Sequence, residues 1–212
     1  MTAFTQLLAY LIYAALALIA LWGAFTVFMV WRRVAQVRFR DEEEQDAMLD
    51  EVEPKLREGR LDSAAEQCAD DARAVPQLIV LAAANRQLPL GKLQTLLVDR
   101  FRRDVLTDLD HRISWIDTVI KSAPMVGLFG TVIGMMGAFG KLASQQQENV
   151  SPSVLASDIS LALVTTACGL AIAIPLVIAR ASIMVRLQRM EDLVGSGLTR
   201  ILEALREFAA RQ

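Results

Sequence analysis

Three long stretches of the chain contain no charged residue, and this feature constrains the fold more than any other. The stretches run over residues 7–31, 122–140 and 159–179, and they are 25, 19 and 21 residues long. About 20 residues of α-helix cross the hydrocarbon core of a bilayer. The lengths therefore predict three transmembrane helices. Buried helices of a soluble protein are the disfavoured alternative, because soluble cores seldom repeat such a length three times.

The charges around these stretches predict how the chain is oriented in the membrane. Arginine follows the first stretch at positions 32, 33, 38 and 40, and it follows the third at 180, 186 and 189. The connector between the second and third stretches carries only Lys141, Glu148 and Asp158. Since positive charge favours the cytoplasmic side, we expect the N-terminus and this connector in the periplasm and the C-terminus in the cytoplasm.

These borders divide the chain into six predicted segments. They are a first transmembrane helix over 1–31, a cytoplasmic helical region over 32–121 that includes the start of a long second helix, a second span over 122–140, a short periplasmic connector over 141–158, a third span over 159–179 and a cytoplasmic C-terminal helix over 180–212. Soon after the first span comes DEEEQDAMLDEVE, which holds eight acids and no base. Such a run is typical of a solvated helix face or a mobile linker.

Apolar residues continue at helical spacing beyond the second and third stretches. They recur at steps of three, four or their sums, at positions 93, 97, 101, 109, 113, 116 and 120 before the second stretch and at 184, 187, 190, 194, 201, 205 and 208 after the third. We therefore expect one helix from about 90 to 143 that runs through Pro124, and another that starts with Ser151 as N-cap and Pro152 as first residue. The predicted fold is an all-α integral membrane protein with three transmembrane helices, of which helices two and three extend into a cytoplasmic helical bundle.

Residues that could carry catalysis are scarce. The single histidine, His111, lies on the predicted cytoplasmic helix, where an exposed polar role is the usual one, and no carboxylate pair or Cys/His cluster has metal-ligand spacing. Cys68 and Cys168 are expected to form neither a disulfide nor a metal site. A net charge of -2 suggests no nucleic-acid partner. We therefore expect no enzymatic activity, no cofactor and no metal.

Small residues form a face on each of the two later membrane helices. The faces consist of Gly127, Gly130, Gly134 and Gly137 on the second helix, and of Ala162, Thr166, Gly169 and Ala173 on the third. Small faces let membrane helices approach closely, so we expect these residues in helix packing. Thr131 and Thr166 lie within the faces and Thr165 adjoins them. These threonines are either packing residues or the lining of a polar constriction.

The membrane stretches also lack a group that could carry a proton. They contain no Asp, Glu, Lys, Arg or His, the residues that usually mark proton relays inside membranes. If the assembly moves protons, another subunit must therefore supply the acid.

Two of these stretches resemble the sequence signatures of a known family. APMVGLFGTVIGMMGAF at 123–139 closely matches the second-span signature of the ExbB/TolQ/MotA proton-channel family, in its three-span ExbB/TolQ-like branch. ISLALVTTACGLAIAIP at 159–175 matches the third-span signature, and EGRLDSAAEQC at 58–68 more weakly resembles the cytoplasmic helical segment. The resemblance covers nearly the whole chain in the same order.

This resemblance implies a homopentamer in the bacterial inner membrane that surrounds a dimer of single-span ExbD/TolR-type partners. In that family the partner's aspartate carries the protons, and their flow drives a molecular motor that energises biopolymer transport or envelope work at the outer membrane. A TonB/TolA-like energy transducer is a further implied partner. Thr131 matches the family's second-span threonine, and Thr166 matches the third-span threonine that faces the aspartate, with Thr165 beside it. The three threonines are thus implied to line the proton path.

One position departs from the family pattern. Many members carry glutamate five residues before the third-span threonine, whereas this chain has Leu161. A path through a glutamate of this subunit is therefore not expected, and the partner-aspartate mechanism is unaffected. Two functions stay open: a proton-channel subunit of a motor driven by the proton motive force, and a non-conducting membrane scaffold of the same fold. A four-span flagellar stator is disfavoured because only three spans are predicted.

Overall fold

A computed structural model describes residues 2–144 and 152–211. Within these ranges the chain is helical and contains no β-strand. Its elements are α1 Thr2–Val37, α2 Glu42–Arg57, α3 Leu61–Cys68, α4 Ala74–Ala84, α5 Leu90–Phe101, a π-helical segment Arg102–Leu106, α6 Thr107–Ser144 and α7 Pro152–Ala209. Three helical stretches are long and apolar enough to cross a membrane, by length and composition. The predicted all-α fold with three transmembrane helices is confirmed.

The second and third membrane helices continue well past their apolar stretches, as their periodicity predicts. Helix α5, the π-helical segment and α6 follow one another without a break from residue 90 to 144. Helix α7 has 58 residues, which corresponds to about 87 Å at 1.5 Å per residue. Pro124 lies inside α6 and Pro175 inside α7. Ser151, the predicted N-cap of α7, lies outside the described residues, and the borders of the six predicted segments stay predictions.

The π-helical segment is the one feature of this long helical run that the periodicity did not predict. A π-helix places an extra residue in a turn, so that N–H groups bond five residues back. Both the backbone N–H and the hydroxyl of Thr107 donate to the carbonyl oxygen of Arg102, the hydroxyl at 3.1 Å. The side chain of Thr107 thus adds a second donor to the carbonyl at the wider turn.

The chain divides into two compact units, each of which contains parts of the three long helices. The first unit comprises Met1–Phe28 and Ile113–Ala181, and the second comprises Met29–Arg112 and Ser182–Gln212. The outside of the first unit is apolar: Leu18, Met125 and Phe139 are 65 to 68% exposed. A large exposed apolar surface is unusual for a soluble monomer. In a membrane, by contrast, lipid tails or neighbouring subunits cover such side chains.

Helix α2, which belongs to the second unit, carries the acid-rich run of the sequence. Its buried positions are Gln45, Leu49, Val52 and Leu56, a helical stripe, while the acids at its start are exposed. The Gln45 amide nitrogen donates to the carbonyl oxygen of Leu193 on α7 at 2.7 Å. Of the two alternatives for this run, the solvated helix face is therefore correct.

An arginine of α7 holds three acids of α2 in this second unit. The Arg200 guanidinium lies 3.0 Å from the Asp46 carboxylate, 2.6 Å from that of Asp50 and 2.5 Å from that of Glu53. Burial raises the pKa of Glu53, but hydrogen bonds and positive charge from Arg200 and then Arg57 outweigh it, so this pKa lies below its ordinary value. The ion pairs thus stabilise the packing of α2 on α7 while the acids are ionised.

Candidate functional site

The small faces of α6 and α7 pack directly on each other within one chain. A Cβ atom added at Gly127 would lie 2.7 Å from the carbonyl oxygen of Thr165 and 2.9 Å from the Cα atom of Thr166. A Cβ atom added at Gly169 would lie 2.6 Å from the carbonyl oxygen of Ala123. Real Cβ atoms essentially never approach so closely. Glycine is therefore required at both positions, because backbone of one helix occupies the space where the other would carry a side chain.

The third close contact joins a glycine of α6 to a side chain of α7. A Cβ atom at Gly130 would lie 2.7 Å from the Cβ atom of Thr165 and 3.0 Å from its Cγ2 atom, with the hydroxyl oxygen nearer still. Thr165 is 3% exposed, so its side chain fills the hollow that Gly130 leaves. Ala162, one turn earlier on α7, is also 3% exposed. Gly127, Gly130 and Gly169 thus lie where α6 and α7 approach each other, and the packing role of the predicted set stays a prediction.

The hydroxyl group of Thr165 bonds both within its helix and across to the neighbouring one. Its oxygen lies 2.7 Å from the carbonyl oxygen of Ala162 and 3.0 Å from the carbonyl oxygen of Gly127. A hydroxyl has one proton to donate, so the two carbonyl groups share it. Lipid offers no alternative partner for a buried hydroxyl, and the bond to Gly127 therefore adds a polar link to the α6–α7 contact.

The other two threonines of the site differ in what their hydroxyl groups bind. Thr131 is 8% exposed, and its hydroxyl donates to the carbonyl oxygen of Leu128 in its own helix at 2.7 Å. The hydroxyl oxygen of Thr166 is buried and has no hydrogen-bond partner among the described residues. Thr166 therefore carries an uncommitted hydroxyl beside the contact between Gly127 and α7. The predicted role of all three threonines in a proton path stays a prediction.

Gly134 and Gly137, the remaining glycines of the predicted face, are half-buried on α6. Their packing role also stays a prediction. Ala173, predicted on the small face of α7, is 6% exposed. The described contacts thus concern the half of the α6 face that lies nearest Pro124.

An ion pair of the first unit was missed from the sequence. The guanidinium of Arg180 on α7 contacts the carboxylate of Asp117 on α6 through Nε and also through Nη2, the latter at 3.1 Å. The two side chains are 37% and 33% exposed, so the pair is partly shielded from water. The available signal was their position: Asp117 precedes the second apolar stretch and Arg180 follows the third. Two consecutive membrane helices run in opposite directions, which brings these two ends together.

Helix α1 approaches the other two helices through a glycine as well. A Cβ atom at Gly23 would lie 2.8 Å from Leu176 and 2.9 Å from Val119, in each case from the far end of the side chain. Thr26 is 8% exposed and donates its hydroxyl to the carbonyl oxygen of Gly23 at 2.9 Å. This polar group was also missed, because one threonine in an apolar stretch gives no distinctive pattern.

Comparison with known proteins places these helices in a family context. A family model described as "MotA/TolQ/ExbB proton channel family" matches residues 90–195, which include the whole glycine–threonine contact. The TolQ protein of the Tol-Pal system from Haemophilus influenzae is 36% identical over 91 residues, covering 43% of this chain and 39% of that protein. The TolQ protein of Pseudomonas aeruginosa is 45% identical over 71 residues, covering 34% and 30%.

A biopolymer transport protein gives a similar result. ExbB of Neisseria gonorrhoeae is 32% identical over 92 residues, covering 43% of this chain and 41% of that protein. The chain thus matches less than half the length of each of these three relatives. The family model, however, matches half of this chain and spans both small faces. The chain therefore belongs to the MotA/TolQ/ExbB proton channel family.

Proposed function

We propose that this chain is the proton-channel subunit of an inner-membrane motor driven by the proton motive force. The observation that carries the proposal is a set of three threonines, the buried Thr131 and Thr165 and the buried hydroxyl oxygen of Thr166, in a membrane unit whose apolar stretches contain no ionisable Asp, Glu, Lys, Arg or His. A hydroxyl group can donate one hydrogen bond and accept others, but it does not ionise near neutral pH. The subunit is therefore suited to shape a path and not to carry the proton.

The titrating group in this proposal is an aspartate of a single-span ExbD/TolR-type partner. An ionised carboxylate without partners in a low-dielectric site costs several kcal/mol. Hydroxyl donors stabilise the charged form and lower the pKa of the acid, and each unit of that shift corresponds to about 1.4 kcal/mol. The Thr166 hydroxyl is the donor best placed to stabilise the carboxylate, because its buried oxygen forms no hydrogen bond with another described group.

The assembly we propose follows the family resemblance. Five copies of this chain surround a partner dimer, with the N-terminus in the periplasm and the C-terminus in the cytoplasm. The exposed apolar surface of the first unit is available for contacts between copies and with the partner. The work performed is energy transduction of the Tol or Ton type at the outer membrane, and a TonB/TolA-like protein is the proposed energy transducer.

A specific observation favours one alternative, a non-conducting scaffold. Leu161 stands where many members of the family carry glutamate, and its side chain is 51% exposed. A subunit that has lost a titratable group could retain the fold and the partner without conducting. Helix α7 continues without a break through position 161, and Thr166 lies about one and a half turns further along it. The partner-aspartate mechanism does not require a carboxyl group at position 161, which is why we favour conduction.

Flux measurements with and without the partner distinguish the two functions. The chain is reconstituted in vesicles alone and together with the ExbD/TolR-type partner that co-purifies with it, and proton entry is followed with a pH-sensitive dye. We expect flux only in the presence of the partner, and its loss when the partner's membrane aspartate is replaced by asparagine. An assembled complex that does not conduct at any imposed pH gradient would establish the scaffold instead.

A further inference from the structure

We infer that Thr165 is a positioning residue that fixes the register of α6 against α7, and that it does not itself line the proton path. This inference rests on the proposed function, because register matters here only if the neighbouring hydroxyl groups serve a path. It assigns different roles to two adjacent threonines, Thr165 and Thr166. The difference follows from what their hydroxyl groups touch.

The hydroxyl of Thr165 has no proton left to donate to a partner. Its one hydroxyl proton is shared between the carbonyl oxygens of Ala162 at 2.7 Å and Gly127 at 3.0 Å. The residue is 3% exposed, and its carbon atoms fill the hollow above Gly130. The Thr166 hydroxyl oxygen, in contrast, has no partner among the described residues. Of the two hydroxyl groups, only that of Thr166 therefore still has its proton to donate.

The carbonyl group that Thr165 contacts belongs to the turn that carries Thr131. In an α-helix the carbonyl oxygen of residue 127 also accepts the backbone N–H of residue 131. The same glycine lies against the Cα atom of Thr166. A bond from Thr165 to Gly127 therefore ties one turn of α6 to one turn of α7. Sliding of either helix would break this bond and shift Thr131, which lies one turn beyond Gly127, relative to Thr166.

Glycine at 130 makes the contact specific for the size of residue 165. The close distances to the Thr165 side chain leave no room for an additional carbon on α6. A threonine at 165 thus both fills the hollow and supplies the cross-helix bond. Valine fills the same hollow without the bond, and serine supplies the bond without filling the hollow. These two replacements separate the effect of the hydroxyl group from that of packing.

The experiment compares Thr165→Val, Thr165→Ser and Thr166→Val in the full complex with the partner. Thr118→Val is the matched control. The Thr118 hydroxyl also donates to a carbonyl oxygen of its own helix, that of Ser114 at 2.9 Å, but Thr118 lies on an exposed part of α6. Flux is expressed per assembled complex. Amide hydrogen exchange is measured by mass spectrometry in peptides that contain residues 127–131 and 162–166.

For Thr165→Val we expect normal assembly, faster exchange in both peptides and a fall in flux of about three- to tenfold, the range expected for loss of one hydrogen bond between membrane helices. Thr165→Ser should retain most of the flux, since it keeps the donor. Thr166→Val should abolish flux with unchanged exchange in both peptides. Thr118→Val should change neither quantity.

Two results would overturn the assignment. Unchanged flux per complex in Thr165→Val would mean that the bond serves packing alone. Reduced flux with unchanged exchange would mean that Thr165 acts in the path directly. A wild-type complex that does not conduct would refute the proposed function, and the inference with it. That failure is distinguishable, because it is seen before any residue is replaced.

Discussion

Replacing Gly130 with alanine adds one carbon atom where the side chain of Thr165 packs closely on α6. In the wild-type geometry that carbon would lie 2.7 Å from the Cβ atom of Thr165, whereas ordinary van der Waals contact begins at 3.4 Å. Because the hydroxyl oxygen of Thr165 lies nearer still, the helices must separate by at least about 0.7 Å, or Thr165 must rotate and lose its bond to Gly127. Overpacking of this kind costs about 1–3 kcal/mol, and alanine recovers up to about 1 kcal/mol because it favours the helix more than glycine does.

We expect a net destabilisation of about 1–2 kcal/mol, which corresponds to a fall in Tm of about 2–8 °C for a chain of this size. The measurement is thermal unfolding of the purified chain in detergent, followed by circular dichroism. Gly195→Ala is the matched control, since nothing lies within 4 Å of a Cβ atom at Gly195 on α7. That replacement should leave Tm unchanged or raise it, because only the helix preference changes.

A second replacement tests whether Thr165 is the cause. In a Thr165→Gly background no side chain fills the hollow, so Gly130→Ala should lower the free energy of unfolding much less than it does in the wild-type chain. The difference between the two costs is the coupling energy of the pair. If Gly130→Ala raises Tm by as much as Gly195→Ala does, or if its cost is the same in both backgrounds, the packing described here is wrong.

Three further predictions follow from other contacts. Thr131→Val and Thr166→Val should assemble with the partner and lose proton flux in reconstituted vesicles; a double variant that conducts like wild type would reduce these threonines to packing residues. Arg200→Met should lower Tm at pH 7, because it leaves acids of α2 without their cation. The fall in Tm that this replacement causes should become smaller as pH drops below 4.5, the ordinary pKa of Glu53. A carboxylate whose pKa is lowered in the folded state stabilises the fold above pH 4.5, and this contribution is lost as the carboxylate becomes protonated. A fall in Tm that is constant from pH 7 to pH 3.5 would contradict this. Gly59→Ala should lower Tm by more than Gly195→Ala raises it, because Gly59 has φ of 74° and Phe208 lies against it; an unchanged Tm would contradict the left-handed turn.

Much of the fold could be predicted from the sequence because membrane helices follow from length and the absence of charge. The long extensions could be predicted for a related reason: apolar residues at helical spacing persist on both sides of the membrane stretches. The π-helical segment at Arg102–Leu106 could not, since an inserted residue shifts the periodicity only locally. Whether the acid run of α2 forms an ordered helix also stayed open from the sequence. Its buried positions recur at every third or fourth residue, but the many acids between them make this pattern hard to recognise.

The candidate site was predicted in its composition but not in its pairing. The glycine spacing indicated a small face on α6, yet not which helix covers it; the structure places α7 of the same chain on Gly127 and Gly130. The two threonines at 165 and 166 are chemically identical in the sequence. They differ only in direction, because successive residues of a helix point about 100° apart. The Thr165 hydroxyl reaches the Gly127 carbonyl of α6, whereas the Thr166 hydroxyl has no partner among the described residues, and no pattern of residue types reveals this difference.

This difference in direction also bears on why the glycine face exists in a helix that glycine weakens. Each glycine on α6 loses up to about 1 kcal/mol of helix preference relative to alanine. In return Gly127 allows the α7 backbone to approach so closely that the Thr165 hydroxyl can reach its carbonyl oxygen at 3.0 Å. The loss of helix preference is thus offset by a close contact that includes a polar bond between the two helices. Alanine at 127 would keep the helix but would place a carbon atom 2.7 Å from the carbonyl oxygen of Thr165, so the glycine face exists for the contact and not for the helix that carries it.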